Sequence, residues 1–278
     1  MNSAHPSVSS LVFLGAGNMA EALCRGILSA GLLPPEAITL TDVRAERLEA
    51  LAQIYGVRTA MDNRAAVTGA DVVMLCVKPQ QMPELLAELQ GAAPRALWIS
   101  IAAGVTLSTM EARLGEGSRM VRVMPNTPAL VREGAAGIAP GARATQEDLA
   151  LAMSLFACVG DCVEVTEPEL HAVTALSGSG PAYVFVLVEA MLAAAGEMGF
   201  AAEAARALVL QTVRGAAVLL QETGEPPEVL RARVTSKGGT TAAAVAAFEA
   251  AGVPGALRAG VLAAARRSAE LAGDTPGA

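Results

Sequence analysis

Two glycine-rich turns, one near each end of the sequence, have the composition of anion-binding sites. In Val234-Thr235-Ser236-Lys237-Gly238-Gly239-Thr240-Thr241, two glycines stand among hydroxyl residues directly before an alanine-rich helical run, 242–251. A helix N-terminus presents N–H groups that have no intrahelical partner, together with the positive end of the helix dipole, and glycine lets a carboxylate or phosphate approach the backbone. At the other end, Gly15-Ala16-Gly17-Asn18-Met19-Ala20 follows an apolar strand and opens a helix. Gly15-x-Gly17-x-x-Ala20 fits the GxGxxG/A fingerprint, whose glycines bring a dinucleotide pyrophosphate onto the helix N-terminus. Two anion sites of these kinds point to a cofactor and an acidic substrate.

Other candidate residues sit at strand ends. Asp42 closes the second expected strand, where an acidic residue accepts the adenosine ribose hydroxyls of NAD. Arg44 and Arg47 have the charge to clamp a 2′-phosphate instead, or else lie on a solvated helix face. Lys78-Pro79 follows a buried strand and reads either as a strand terminator with a solvated lysine or as a turn lining the cofactor. Ala102-Ala103-Gly104 is small enough for a flat nicotinamide to approach the backbone, although small residues are common at strand ends. Ser177-Gly178-Ser179-Gly180-Pro181-Ala182-Tyr183 reads as a second nest-like turn with Pro181 at the first helical position. It faces the cofactor cleft or makes a plain interdomain turn.

The elements that must carry these residues follow from hydrophobic periodicity. Strands are expected over 11–14, 38–41, 57–59, 70–77, 97–101 and 120–124, with helices over 19–30, 44–55 and 83–89. Such alternation implies α/β architecture, an N-terminal Rossmann-like, parallel, doubly wound sheet whose ligands lie beyond the carboxyl ends of the strands. Gly15, Asp42, Lys78, Ala102 and Asn126 all fall there. After about residue 165 the pattern turns all-α, with helices over 181–198, 202–222, 227–234, 240–251 and 254–272. Their apolar residues occupy several faces, so this half is expected to bury surface against another copy of itself. The expected organisation is a flexible tail over 1–10, an NAD(P)-binding Rossmann domain over 11–165 and a helical substrate-binding and dimerisation domain over 166–278.

Composition narrows the partners. The 278 residues carry a formal charge of −7 and no Lys/Arg cluster, which argues against nucleic acid or an anionic membrane. Apolar runs are short and alanine-rich, so no membrane span is expected. Cys24, Cys76, Cys158 and Cys162 lie in apolar stretches with no secretory signal ahead of them, the pattern of reduced thiols in a cytoplasmic protein. With two histidines and a Cys158–Cys162 spacing one residue too long for CxxC, no metal site is expected.

Taken in order, Phe13 to Met19, Val77-Lys78-Pro79, Ser100 to Gly104, Met124-Pro125-Asn126-Thr127-Pro128, Ala175 to Tyr183 and Val234 to Thr241 resemble the pyrroline-5-carboxylate reductases. The resemblance covers nearly the whole chain. It implies an oxidoreductase of proline biosynthesis that reduces 1-pyrroline-5-carboxylate, a small cyclic imino acid, by hydride transfer to the C=N carbon. NADPH is the implied cofactor, with NADH as the alternative. The implied assembly is a homodimer interlocked through the helical domain and built into a larger ring such as a decamer. Carried over by motif, Gly15, Ala16, Gly17, Asn18, Met19 and Ala20 hold the pyrophosphate, with Asp42, Arg44 and Asn63 around the adenosine ribose. Val77, Lys78, Pro79 and Gln80, with Ala102, Ala103 and Gly104, line the nicotinamide side. Ser177, Gly239, Thr240 and Thr241 are the implied substrate residues, Thr241 lying near the ring nitrogen as proton donor or orienter.

The motifs hold no obvious general acid in histidine or carboxylate form, which suits an imine that arrives protonated. Two departures stand out. Lys237 replaces the proline usual in the last motif, and Gly224 stands where some members carry an acidic residue. A β-hydroxyacid dehydrogenase would need a lysine after its second glycine motif, and Tyr183-Val184-Phe185-Val186 offers none. A non-catalytic NADPH sensor would have no use for an intact substrate motif.

Overall fold

The computed structural model describes residues 8–115 and 117–273. Two compact units emerge, the first running to Ser179 and resuming at Ala264, the second comprising Gly180–Ala263. The first unit opens with β1 (Leu11–Leu14), α1 (Asn18–Ser29), β2 (Ile38–Thr41), α2 (Ala45–Tyr55), β3 (Arg58–Ala60) and α3 (Asn63–Val67). It continues through β4 (Val72–Leu75), α4 (Met82–Glu88), β5 (Leu97–Ser100), α5 (Leu107–Leu114) and β6 (Arg119–Met124). These six strands are parallel, in the order β3-β2-β1-β4-β5-β6. Helices cover both faces, so β1 and β4 are buried at every residue and read as continuous apolar runs rather than alternating ones. Leu11, Phe13, Met74 and Ile99 pack on one face, and Val12, Leu14, Val73, Leu75 and Trp98 on the other.

The sheet does not stay parallel. β7 (Gly134–Pro140) pairs antiparallel with β6, and β8 (Gly160–Glu164), reached through α6 (Gln146–Ala157), is parallel to β7. Between Met124 and Gly134 the chain holds only a 3-10 turn, Thr127–Val131, too short for the crossover that a parallel neighbour needs. The six strands expected from the sequence are parallel, and β7 and β8, which the sequence did not mark, add the antiparallel step. α6 is stopped at its start by a capping box, Thr145 with Asp148, and Asp148 also takes Arg119 at 2.6 Å.

After β8 come α7 (Leu170–Val173) and a π-turn, Thr174–Gly178. A nest-like turn was expected over Ser177–Tyr183. The chain is instead helical on both sides of Ser179, and Pro181 is the second rather than the first residue of α8 (Gly180–Glu197). The expected tail over residues 1–10 lies outside the described residues up to residue 7. Ser9 and Ser10 are tied down, both donating to the Asp71 carboxylate.

The second unit holds α8, α9 (Ala202–Thr223), α10 (Pro227–Arg233), α11 (Thr240–Ala250) and the first part of α12 (Val253–Ala272). Only Ala195, Ala205 and Val209 are buried among its hydrophobic residues, while Phe185, Val186, Leu208, Phe248 and Leu257 are each about half exposed or more. The helical run Leu170–Glu197 is long and apolar enough by composition to cross a membrane, with a mean hydropathy of 1.4, which the short-run reading of the sequence did not anticipate. The end of α12 belongs to the first unit. There Ser268 Oγ lies 3.0 Å from His171 Nδ1, and the Leu271 carbonyl approaches Gly104.

Candidate cofactor and carboxylate sites

β1 ends in the core, and Gly15 turns the chain out of the sheet. Its φ of +97° belongs to glycine, and a Cβ there would meet the Cys76 carbonyl group at 3.0 Å. Its N–H donates to the Thr41 carbonyl at 3.0 Å, which locks the turn to the end of β2. Gly17 is the N-cap of α1 and has no capping side chain, and nothing lies within 4 Å of where its Cβ would stand. The first N–H groups of α1 thus carry no side-chain cap, and the space beside Gly17 is open. That space is a cavity of about 380 Å³ walled by Gly15, Gly17, Cys76, Val77 and Lys78. Ala16 and Ala20 are fully buried and Met19 packs on the core, so these three shape the turn from behind while Asn18 is exposed. A glycine cradle opening onto uncapped helix amides suits a pyrophosphate.

At its other end the same cavity is walled by Thr41, Asp42, Val43, Arg44, Met61 and Asn63. Asp42 accepts from Ala16 N at 3.1 Å and from Arg44 N, Nε and Nη2 at 3.0, 3.0 and 3.2 Å. Burial would push this carboxyl up, but the Arg44 guanidinium and the two backbone N–H groups outweigh it and hold the group below the usual carboxylate range. Arg47 points elsewhere. Its Nε donates to the Ala16 carbonyl at 3.0 Å and its Nη2 pairs with Glu21, which also accepts from Tyr55 Oη at 2.9 Å. Of the two arginines set against a 2′-phosphate, only Arg44 borders the cavity. Asn63 accepts from Thr41 Oγ1 at 2.6 Å, and the exposed apolar side chains of Val43 and Met61 offer faces to a planar base.

On the third flank Lys78 is exposed, and its N–H donates to Gln81 Oε1 at 3.3 Å across the 3-10 turn Pro79–Gln81. Gln81 borders the cavity, and the expected Gln80 does not. Pro79 sets the turn without lining it. Ala102, Ala103 and Gly104 also lie off this cavity. Ala102 is buried with its N–H on Ser100 Oγ at 3.3 Å, Ala103 is exposed, and Gly104 takes a φ of +74°. Just beyond, Glu167 Oε1 accepts from Leu107 N at 2.6 Å and from the buried Arg122 at 2.9 Å, which pins the start of α5 and the small-residue turn before it.

Ser177 lies in the π-turn with its hydroxyl donating to the Val173 carbonyl at 3.0 Å. Its own carbonyl accepts from Asn126 Nδ2 at 3.0 Å, and Asn126 Oδ1 accepts from Ala135 N at 2.8 Å. The motifs around Asn126 and Ser177, distant in sequence, are thus joined by one buried amide. In the second unit, Gly239 is the N-cap of α11, again with no capping side chain, and Gly238 before it has a φ of +73°. Thr240 and Lys237 are exposed and Thr241 is half-buried. Gly224, also departing from the motif, is the left-handed C-cap of α9, a position that a glycine fills without strain.

Thr41, Val43, Met61, Cys76 and Gln81 line the first cavity without having been singled out in the sequence. Val43 had a signal, being set between Asp42 and Arg44. Met61 had none, since it follows a three-residue strand that the sequence marks weakly.

Comparison with known proteins places the chain. A family model described as "Pyrroline-5-carboxylate reductase dimerisation" matches residues 167–271, and one described as "NADP oxidoreductase coenzyme F420-dependent" matches residues 10–104. The chain is 45% identical to a pyrroline-5-carboxylate reductase from Methanosarcina acetivorans over 93% of its length and 96% of that protein. Among solved structures it is similar to a pyrroline-5-carboxylate reductase from Coxiella burnetii, with a TM-score of 0.90, 37% identity, and coverage of 98% of this chain and 100% of that one. The Plasmodium falciparum pyrroline carboxylate reductase with NADP bound follows, with a TM-score of 0.86, 26% identity, and coverage of 96% and 100%.

Proposed function

The chain belongs to the pyrroline-5-carboxylate reductase family, and on that premise we propose how its residues divide the work of reducing 1-pyrroline-5-carboxylate to L-proline with NADPH. The reaction is the last step of proline biosynthesis. Gly15 to Ala20 hold the pyrophosphate, supported by the open Gly17 edge and the uncapped start of α1. Asp42, Arg44 and Asn63 take the adenosine ribose. Val77 to Gln80, with Gln81 added from the cavity wall, and Ala102 to Gly104 serve the nicotinamide side. When bound, NADPH supplies the hydride that the imine carbon receives.

The substrate carboxylate is assigned to the turn at Gly239, Thr240 and Thr241, with the Thr240 and Thr241 amides as donors, because the Gly239 N–H already donates to the Ser236 carbonyl at 3.0 Å. The observation that carries this is the start of α11, where Gly239 caps without a side chain and leaves the first amides for an anion. Lys237 is exposed, consistent with a solvated side chain rather than a carboxylate ligand. Ser177 is kept as a proposed substrate residue on its motif alone, its hydroxyl proton being donated to the Val173 carbonyl and its own carbonyl taken by Asn126. The Thr241 hydroxyl orients the ring nitrogen or passes it a proton. Holding the carboxylate and the nitrogen fixes the ring, and orientation of this kind supplies most of the rate.

The helical segment forms the homodimer, supported by the half-exposed apolar residues of α8 and α9 and by the dimerisation family match. We further assign this dimer as the building block of a ring such as a decamer, and place the enzyme in the cytoplasm, where four unpaired thiols are at home.

Steady-state oxidation of NADPH with pyrroline-5-carboxylate tests the assignment. Thr241→Ala is expected to lower kcat/KM by ~10²–10⁴-fold, the range of a positioned proton donor, and Thr241→Ser to restore most of it. Undiminished efficiency in Thr241→Ala rejects the role.

A further inference from the structure

Ala16, the residue between the two glycines of the pyrophosphate turn, is held at both of its backbone groups. Its N–H donates to Asp42 Oδ2 at 3.1 Å, and its carbonyl accepts from Arg47 Nε at 3.0 Å. Gly15 and Gly17 have no side chains to fix themselves, and glycine on either side gives the Ala16 peptide units wide rotational freedom. The shape of the cradle is therefore set by partners outside it. Gly15 N–H on the Thr41 carbonyl sets one end. Arg47 sets the other. In a trans peptide the carbonyl and the following N–H point in opposite directions, so a guanidinium on the Ala16 carbonyl also fixes the plane from which Gly17 leads into α1. Arg47 is itself locked, because its Nη2 pairs with Glu21 in the first turn of α1 and Tyr55 Oη donates to the same carboxylate at 2.9 Å. Burial would raise the Glu21 carboxyl, but the bonds from Arg47 and Tyr55 outweigh it and hold the group below the usual carboxylate range.

We propose that Arg47 is a positioning residue for the cofactor, holding the pyrophosphate turn in its binding shape before a dinucleotide arrives. This rests on the reading of Gly15 to Ala20 as that turn. Arg47 does not border the cavity, so it acts through the Ala16 carbonyl and not by touching the ligand. The pyrophosphate is common to NADH and NADPH, and the effect of Arg47 is accordingly blind to the 2′-phosphate. An arginine clamp would serve NADPH alone. A turn held in advance spares the ligand the cost of ordering it. That help is the same in the ground state and the transition state, so its loss raises KM for the cofactor and leaves kcat in place.

Calorimetric titration of the full chain with NADPH and, separately, with NADH tests this, with no imine present. In R47M both affinities are expected to fall ~10-fold, the worth of a charge-assisted hydrogen bond, with their ratio unchanged. In steady state KM for NADPH should rise by the same factor while kcat holds. R47K keeps the charge without the planar fork. It should fall between R47M and the parent, again equally for both cofactors, and it carries the test where R47M does not fold. Because R47M also uncovers the Glu21 charge at the start of α1, R47M combined with E21Q removes both charges, and the loss is expected to persist. A fall confined to NADPH, affinities within about twofold of the parent, or recovery of the parent affinity in the double variant overturns the proposal. So does a lower thermal midpoint with both affinities intact, the mark of a brace that serves only the fold. The underlying reading fails separately: undiminished NADPH affinity in Gly17→Ala removes the pyrophosphate turn itself, whereas a loss in Gly17→Ala beside an unmoved R47M overturns only the role of Arg47.

Discussion

Gly15 and Gly17 differ in what surrounds them, and the difference can be measured. Gly15 is left-handed, at φ +97°, and backed by the Cys76 carbonyl at 3.0 Å. Gly15→Ala is expected to cost ~1–3 kcal/mol in stability, seen as a lower thermal midpoint, along with loss of NADPH binding. Gly17→Ala adds a methyl to open space. Its thermal midpoint should stay put while NADPH affinity drops, because the methyl occupies the approach of the pyrophosphate. Equal thermal losses in the two variants would contradict the geometry. The thiols make a second test at this scale. Burial pushes Cys24 up to about 12 and Cys162 up to about 11, and raises Cys76 and Cys158 as well. All four are expected to stay protonated at pH 8 and to react with iodoacetamide far more slowly in the native chain than in urea, as read by mass increments.

Among the elements, the π-turn has the most specific support. Its register depends on Asn126, which donates to the Ser177 carbonyl and accepts from Ala135 N. Asn126→Ala strands both groups and is expected to cost ~2–4 kcal/mol in urea unfolding. Asn126→Asp keeps the acceptor for Ala135 N, and its loss should be smaller. An alanine variant within ~0.5 kcal/mol of the parent would show that the clamp contributes nothing. Glycine also matters here, since a Cβ at Gly137 would run into the Val173 side chain, as close as 2.7 Å.

These same features mark where the sequence was legible. β1 was readable to the residue because a buried parallel strand carries an unbroken apolar run, here bounded by Gly15, and β2 because the strand-favouring Ile38-Thr39-Leu40-Thr41 ends at Asp42. β7 was not, because Gly134-Ala135-Ala136-Gly137-Ile138-Ala139-Pro140 has little strand propensity of its own. Its strand state is imposed by neighbours on both sides, β6 and β8. The antiparallel turn-back of β7 was hidden for the same reason. A π-turn has no compositional sign, so Ser177 to Tyr183 looked like a nest. The cofactor cavity was largely visible in its glycines and strand-end residues. The closure of Arg44 on Asp42 and the diversion of Arg47 were not, since both depend on side-chain direction rather than spacing.

For the whole molecule, the second unit read by itself keeps most of its large apolar side chains in solvent, Phe185 at 60% and Leu208 at 60% among them. A surface of that kind is stable when a second copy covers it. The thermal midpoint is therefore expected to rise with protein concentration, and Phe185→Asp combined with Leu208→Asp should shift the sedimentation profile toward monomer. A monomeric parent profile at micromolar concentration would refute the dimer.

The path of the chain has a consequence for synthesis. The first unit is not finished when Ser179 leaves the ribosome, because the strip from Ala264 onward, with Ser268 beside His171 and Leu271 beside Gly104, is part of it. A domain that ordinarily folds as soon as it has been translated must here wait for its last segment. Throughout elongation of the intervening helices, the turn at Gly104 stays uncovered, and a nascent chain arrested before Ala264 carries every strand of the sheet with that turn still bare.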